Sequence, residues 1–176
     1  MEENIRGKAF SGIIWGGMEK LSLQIFGFVQ GIILARLLSP ADYGLVAMVG
    51  IFVMLSYTFV DAGFGTALIQ KKDRTEKDYS TVFFMNLSLS FLISLILFLS
   101  APFIADFYKE QILTKIVRTY SFIIFLSSLV AIQDVRLSIF LEFKKKSIIN
   151  MVITVVSGVL SIILAFSGYG VWSLIY

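Results

Sequence analysis

The chain contains no cysteine and no histidine, and only 2 of its 176 residues are proline. Without cysteine it has neither disulfides nor thiolate nucleophiles, and without histidine it has no imidazole base. The usual zinc ligands are missing for the same reason, so we predict no metal and no cofactor. The sequence also lacks a phosphate-cradling glycine loop and a G-x-S-x-G nucleophile motif, which argues against an enzyme.

Charge is scarce as well, at 15% of residues against 57% hydrophobic residues, and the mean hydropathy is +0.87. The apolar residues form long stretches at 11–38, 43–69, 82–105, 116–133 and 148–167, and a sixth begins near 169. About 20 apolar residues cross a bilayer core of about 30 Å, a length that all but 116–133 reach. A soluble bundle would need a polar outer face, which these stretches lack. The sequence therefore predicts an all-α, polytopic transmembrane helix bundle that forms one domain over residues 1–176.

Lysine and arginine are distributed unevenly between the two sides of the predicted bundle. Ten of them lie before the first span or in the loops after the second and fourth spans, and four lie on the other side. Basic loops are retained preferentially in the cytoplasm, so we expect the amino terminus there. Because the net charge of +3 comes from these short loops, no nucleic-acid partner is expected.

The predicted boundaries leave some features open. Arg118 lies near the start of span 116–133, so that boundary is not fixed. Ser39 and Pro40 predict a tight turn after the first span, with Asp42 capping the next helix. The charged run 71–78 is interpreted as a solvated loop facing lipid headgroups.

The first span carries an unusual polar face. At about 100° per residue, Glu19, Lys20, Gln24 and Gln30 share an arc with several glycines. One interpretation is close helix packing, in which Glu19 and Lys20 pair with neighbouring helices. However, an ionisable side chain near mid-bilayer costs roughly 2.5–3.5 kcal/mol. We therefore prefer a second interpretation, in which this face lines a water-filled cavity.

Other polar residues repeat at helical spacing in the third and fifth spans, and interhelical hydrogen bonding is the preferred interpretation. They are Asn86, Ser90 and Ser94, and then Asn150, Thr154, Ser157 and Ser161. Asp61 differs because it is a lone acid in the second span, beside Gly63 and Gly65. Its capping and functional roles both stay open, and we interpret the two glycines as a loosened helix end.

Several motifs in order closely resemble bacterial polysaccharide exporters, the lipopolysaccharide and O-antigen flippases of the multidrug/oligosaccharidyl-lipid/polysaccharide (MOP) exporter superfamily. They are ILARLLSPADYGLVAMV at 33–49, VDAGFGTALIQKK at 60–72, DYSTVFF at 78–84, APFIADFY at 101–108, LEFKK at 141–145 and GYGVW at 168–172. The resemblance implies a MATE-like carrier with two lobes around a central cavity. The chain would be most of its amino-terminal lobe, in the bacterial inner membrane.

The resemblance also implies a substrate and roles for the polar residues. Such proteins move an undecaprenyl-pyrophosphate-linked oligosaccharide between leaflets by alternating access. Lys20 would attract the pyrophosphate, and Gln24 and Gln30 would offer hydrogen bonds along the cavity. Glu19 would pair with Lys20 or carry a coupling proton, a role also open to Asp61. Arg36, at the external end of the span, would hold headgroups or extend to the interface.

Two alternatives to a flippase remain at this stage. Glu19 and Asp61 would also suit a cation-coupled multidrug exporter of the same superfamily, in which acidic cavity residues dominate. The other alternative is a membrane fragment that does not transport. Alternating access needs two lobes, so we expect these residues to need a second lobe, either from a longer form of the same chain or from a partner chain.

Overall fold

The computed structural model describes residues 2–61, 63–140 and 142–175, with side chains from Trp15 onward. These residues fold almost entirely into α-helices joined by short connections, which confirms the all-α prediction. In chain order the helices are α1 (Glu2–Leu37), α2 (Pro40–Asp61), α3 (Phe64–Gln70), α4 (Glu76–Tyr108), α5 (Ile112–Ile139), α6 (Phe143–Phe166) and a short 3₁₀ helix (Gly170–Leu174).

Within the described ranges, 5 segments are long and apolar enough to cross a membrane, and they match the predicted spans in order. They are Trp15–Leu37, Pro40–Gln70, Glu76–Tyr108, Ile112–Ile139 and Phe143–Phe166. Large apolar side chains such as Met54, Phe103 and Phe107 are exposed, whereas the buried polar side chains of the described ranges are all serines. Apolar side chains outside and small polar ones inside are typical of helices packed in lipid. The chain is a multi-pass membrane protein.

The fourth span is longer than the sequence predicted. Helix α5 begins at Ile112 and continues for 28 residues to Ile139, so Arg118 lies inside it. The Arg118 guanidinium carbon is 4.8 Å from the centroid of the Phe98 ring. Attraction between a cation and an aromatic face offsets part of the cost of placing this charge inside a spanning helix.

The second span is interrupted. Helix α2 ends at Asp61, α3 begins at Phe64, and Gly63 between them has a φ of +76°. A residue with a Cβ rarely adopts that conformation, so glycine suits the position. The sequence predicted a loosened helix end here, and the structure instead has 7 further helical residues beyond the glycine. The second apolar stretch is therefore two helices.

Side chains cap the helices that follow the turns. The Ser39 amide donates to Asp42 Oδ2 at 3.0 Å, and the Asp42 amide donates to Ser39 Oγ at 3.3 Å. Ser39 is therefore the cap of α2, Pro40 is its first residue, and Asp42 returns the second bond. The prediction that Asp42 is the cap is wrong by three positions. Thr75 and Asp78 form the same reciprocal pair at the start of α4.

The charged run 71–78 is tied to the helices on either side. Arg74 Nε donates to the carbonyl of Leu68 in α3 at 2.9 Å. Lys71 Nζ lies 2.6 Å from Asp78 Oδ1 in the first turn of α4. The loop therefore stabilises the end of one helix and the start of the next, and its position facing lipid headgroups stays a prediction.

The chain forms two compact units, which we describe separately. The terminal unit comprises Met1–Gly44 with Arg136–Tyr176, and the central unit comprises Leu45–Val135. In the terminal unit, α1 packs along α6 and α6 contacts the 3₁₀ helix. The Ser161 hydroxyl donates to the Ser173 carbonyl, which holds the 3₁₀ helix against α6. A sixth span beginning near 169 stays a prediction, as does the single domain over 1–176.

Serines join α4 to α5 in the central unit. Ser90 Oγ donates to Ser128 Oγ at 2.7 Å, and Ser94 Oγ donates to the Ser121 carbonyl at 2.8 Å. All four side chains are buried. The prediction of interhelical hydrogen bonds from Ser90 and Ser94 is confirmed.

Candidate functional site

Glu19 of α1 is bound at both carboxylate oxygens by side chains of α6. The Ser147 hydroxyl donates to Oε2 at 2.5 Å, and Asn150 Nδ2 donates to Oε1 at 2.8 Å. Ser147 and Asn150 are three positions apart and therefore lie on one face of α6. Hydrogen bonds to an ionised carboxylate are about twice as strong as neutral ones, so Glu19 is a main link between the two helices.

The contact between α1 and α6, which we call the α1–α6 seam, continues from Glu19 to Gly158. A Cβ added at Gly158 would lie 2.9 Å from Gln30 Oε1 and closer still to the Phe26 ring. Glycine at this position therefore allows α1 to approach α6. Gln30 is half-buried here.

Lysines surround the amino-terminal end of the α1–α6 seam. Lys20 and Lys146 both interact electrostatically with Glu19. Lys146 Nζ also donates to Ser138 Oγ at 3.1 Å, and Lys144 Nζ is 5.1 Å from the centroid of the Trp15 ring. Two lysines near the Glu19 carboxylate, with a third against Trp15, leave this end of the seam with excess positive charge.

The predicted site residues divide into two groups. Glu19 and Gln30 lie in the α1–α6 seam, while Lys20, Gln24 and Arg36 are exposed. The packing interpretation therefore accounts for Glu19 and Gln30. A water-filled cavity along the exposed polar face stays a prediction.

Sequence reasoning missed two contributors to the α1–α6 seam, Ser147 and Lys146. The polar stripe predicted on the fifth span began at Asn150. Extending that stripe by three residues toward the amino terminus would have included Ser147. Lys146 gave no such signal, because it belongs to a run of basic residues that is typical of a membrane boundary.

Asp61 belongs to the central unit. It lines a cavity of about 160 Å³ together with Asn86, Ser128 and Asp134. The Oδ1 atom of Asn86 is buried and has no hydrogen-bond partner among the residues that the structure describes. Asp61 therefore lies beside other oxygen-bearing side chains and not at an isolated helix end.

Comparison with known proteins identifies several similar sequences. Teichuronic acid biosynthesis protein TuaB of Bacillus subtilis (strain 168) is 29% identical over 115 residues, which are 65% of this chain and 24% of TuaB. Lipopolysaccharide biosynthesis protein WzxC of Escherichia coli (strain K12) is 25% identical over 118 residues, or 67% of this chain and 24% of WzxC. Succinoglycan biosynthesis transport protein ExoT of Rhizobium meliloti (strain 1021) is 28% identical over 164 residues, or 92% of this chain and 33% of ExoT.

The chain thus spans between 24% and 33% of the length of these relatives. No solved structure matches it. A family model described as polysaccharide biosynthesis protein matches residues 33–176, which include α6 but begin after Glu19 and Lys20. Because that match covers most of the sequence, the chain belongs to the polysaccharide biosynthesis protein family.

Proposed function

We propose that the chain is part of a flippase that moves lipid-linked oligosaccharide repeat units across the bacterial inner membrane. The observation that carries the proposal is the family match over residues 33–176, in a chain whose described residues include 5 segments long and apolar enough to cross a membrane. The relatives are named for teichuronic acid, lipopolysaccharide and succinoglycan biosynthesis, and one of them is named a transport protein. These names favour polysaccharide over drugs as the substrate class.

The substrate sets the physical requirements of the path. A pyrophosphate bearing sugars does not cross hydrocarbon unaided, because its charges and hydroxyls lose their water. The path therefore needs water, hydrogen-bonding groups and fixed positive charge. The exposed polar face of α1 offers these groups through Lys20 and Gln24, and the lysines at the start of α6 add charge.

Lys20 is the best candidate for binding the pyrophosphate. No ion pair within 4 Å involves it among the described residues. The carboxylate of its neighbour Glu19 already accepts hydrogen bonds from Ser147 and Asn150. Glu19 therefore holds the α1–α6 seam while the Lys20 ammonium group is available to an anion.

The remaining assignments complete the proposal. Gln24 and Gln30 supply hydrogen bonds to the headgroup and its sugars, and Arg36 binds lipid headgroups at the outer end of α1. Coupling to an ion gradient is assigned to Glu19 or Asp61. The helices form most of the amino-terminal lobe of a two-lobed carrier with a cytoplasmic amino terminus, and the carrier binds an undecaprenyl-pyrophosphate type of lipid.

The test replaces Lys20 in the complete gene and measures polysaccharide export in a strain that lacks its own flippase. Lys20→Ala and Lys20→Met remove the cation, so we expect loss of complementation at unchanged membrane levels. Lys20→Arg keeps the charge and should retain export at least in part. Lys72→Met is the matched control, because Lys72 is an exposed lysine outside the helices.

Normal complementation by Lys20→Ala would refute the role of Lys20. Failure of the unmodified gene to complement any polysaccharide flippase mutant would instead count against the flippase assignment itself. The two results are distinguishable because the second appears before any substitution is made.

A further inference from the structure

We propose that Lys115 and Arg118 of α5 bind the headgroup of an anionic phospholipid, with phosphatidylglycerol as the lipid to test. Both residues belong to the central unit, near the turn that joins α4 to α5. Neither of them takes part in the proposed transport path. The proposal therefore does not depend on the flippase assignment.

The first observation is that the two cations are exposed on one face of α5 and lack an acidic partner. They are three positions apart, so their side chains adjoin on the helix surface. Among the residues that the structure describes, no ion pair within 4 Å involves either of them. Asp106 and Glu110, the acids nearest in sequence, are exposed and form no such pair with them. The chain itself does not neutralise these two charges.

The second observation is the depth of Arg118 along α5. The helix has 28 residues, or roughly 42 Å, which matches a bilayer of about 40–45 Å that includes its headgroups. Arg118 lies about 9 Å from the first residue of the helix, Ile112. With α5 centred along the bilayer normal, the backbone of Arg118 lies close to the boundary between headgroups and hydrocarbon. A long basic side chain at this depth reaches the lipid phosphates.

The third observation is the contact between Arg118 and Phe98 of α4. The guanidinium carbon is 4.8 Å from the centroid of the ring, and Phe98 is itself exposed. In the described part of the chain, the guanidinium donates no hydrogen bond to another residue. The ring therefore holds the group at the surface while its N–H donors stay available. A guanidinium binds two phosphate oxygens at once, which a lysine ammonium group does not.

The fourth observation is the distribution of basic residues. Four of them are expected on the outer side, and three of these, Lys109, Lys115 and Arg118, lie within ten positions of one another. Loops on that side are ordinarily poor in lysine and arginine, so the concentration calls for a local partner. Phosphatidylglycerol carries a net negative charge, whereas phosphatidylcholine carries none. Charge complementarity therefore favours the anionic headgroup.

The test measures which lipid lies beside this face of α5. A single cysteine replaces Phe122, which is 63% exposed and lies one turn beyond Arg118, and is labelled with a fluorophore. The chain has no other cysteine. The labelled protein is placed in phosphatidylcholine nanodiscs that contain a small fraction of nitroxide-bearing phosphatidylglycerol or phosphatidylcholine. Because both lipids carry the nitroxide at the same acyl position, the ratio of their quenching efficiencies measures headgroup preference.

We expect phosphatidylglycerol to quench more strongly than phosphatidylcholine. Arg118→Gln should lower the preference about fivefold, which corresponds to about 1 kcal/mol for one cation at a membrane surface. Lys115→Gln should act in the same direction, and the double variant should show no preference. Arg118→Lys keeps the charge and should retain most of the effect.

Lys72→Gln is the matched control, because it removes an exposed cation from the loop before α4, at the other end of that helix. It should leave the preference unchanged. Variants are compared only if they elute from size exclusion as the unmodified protein does, and Lys115→Gln is an independent test if Arg118→Gln does not. Equal quenching by the two lipids around the unmodified protein would overturn the proposal and leave water as the partner of Arg118. An unchanged preference in the double variant would overturn it as well.

Discussion

At the scale of single residues, Gly158 sets how closely α1 and α6 approach. The space that a side chain would need is filled by Phe26 and Gln30. Gly27, on the polar face of α1, has no atom within 4 Å of an added Cβ. Close approach in the α1–α6 seam therefore depends on a glycine of α6. The packing interpretation of the sequence had instead involved the glycines of α1.

We predict that Gly158→Leu destabilises the protein and that Gly27→Leu does not. The larger residue at 158 must displace Phe26 or push the helices apart, and overpacking of this kind costs about 1–3 kcal/mol. Thermal unfolding of the purified protein in detergent measures the difference. The two variants share the same gain in helix propensity, so an equal shift in Tm would show that Gly158 is not a packing position.

The partners of Glu19 illustrate what the sequence does not reveal. The polar face of α1 can be recognised from the sequence, because charged residues are rare in apolar spans. Its counterpart on α6 consists of a serine and an asparagine that lie 128 and 131 positions away. Serine is ordinary in membrane helices, so a polar stripe that includes Ser147 does not identify its partner, and only the packing of the two helices pairs it with Glu19.

At the scale of elements, α4 and α5 are joined by hydroxyl groups. Ser90 and Ser128 are both buried, and their oxygens lie 2.7 Å apart. Since lipid is as apolar as a leucine side chain, burial of apolar surface does little to hold such helices together. Hydrogen bonds and close packing between small residues therefore carry the association.

A double-mutant cycle should detect coupling between Ser90 and Ser128. With Ser90→Ala and Ser128→Ala, alone and combined, we expect a coupling of about 0.6 kcal/mol and at most about 1.7 kcal/mol. Unfolding of all variants is followed in detergent micelles in the same buffer. Ser100→Ala combined with Ser128→Ala is the control, because the Ser100 hydroxyl bonds within its own helix to Ile96. Coupling no larger than in this control would contradict the prediction.

The helices follow from the sequence more readily than their interruptions do. Each long apolar stretch corresponds to a spanning segment because length and hydropathy decide whether a helix crosses lipid. The interruption after Asp61 was not predicted, because the apolar stretch continues past it to residue 69. A glycine in such a stretch is compatible with either a continuous helix or a break, so Gly63 alone does not distinguish them.

At the scale of the whole molecule, the distribution of lysine and arginine sets the expected orientation. The loop that carries Lys71, Lys72 and Arg74 joins α3 to α4, and Lys144–Lys146 begin α6. Both segments should lie on the cytoplasmic side with the amino terminus. The turn between α4 and α5 should lie on the outer side.

The absence of cysteine in residues 1–176 makes this orientation measurable. A single cysteine placed at Lys72 or Lys145 should react with a membrane-impermeant maleimide only after the inner membrane is opened. A cysteine at Glu110, which is exposed between α4 and α5, should react in intact spheroplasts. The opposite pattern would reverse the orientation and place the amino terminus outside.

The pairing of Glu19 with α6 has a consequence for synthesis of the protein. Ser147 emerges from the ribosome 128 residues after Glu19. At roughly 5–20 residues per second, α1 waits about 6–26 s before its hydrogen-bonding partners exist. During that interval the Glu19 carboxylate and the Lys20 ammonium group raise the free energy of placing α1 in the bilayer. We therefore expect the insertion machinery to shelter α1 from lipid until α6 emerges, so α1 gains these hydrogen-bond partners only after α2 to α5 have been made.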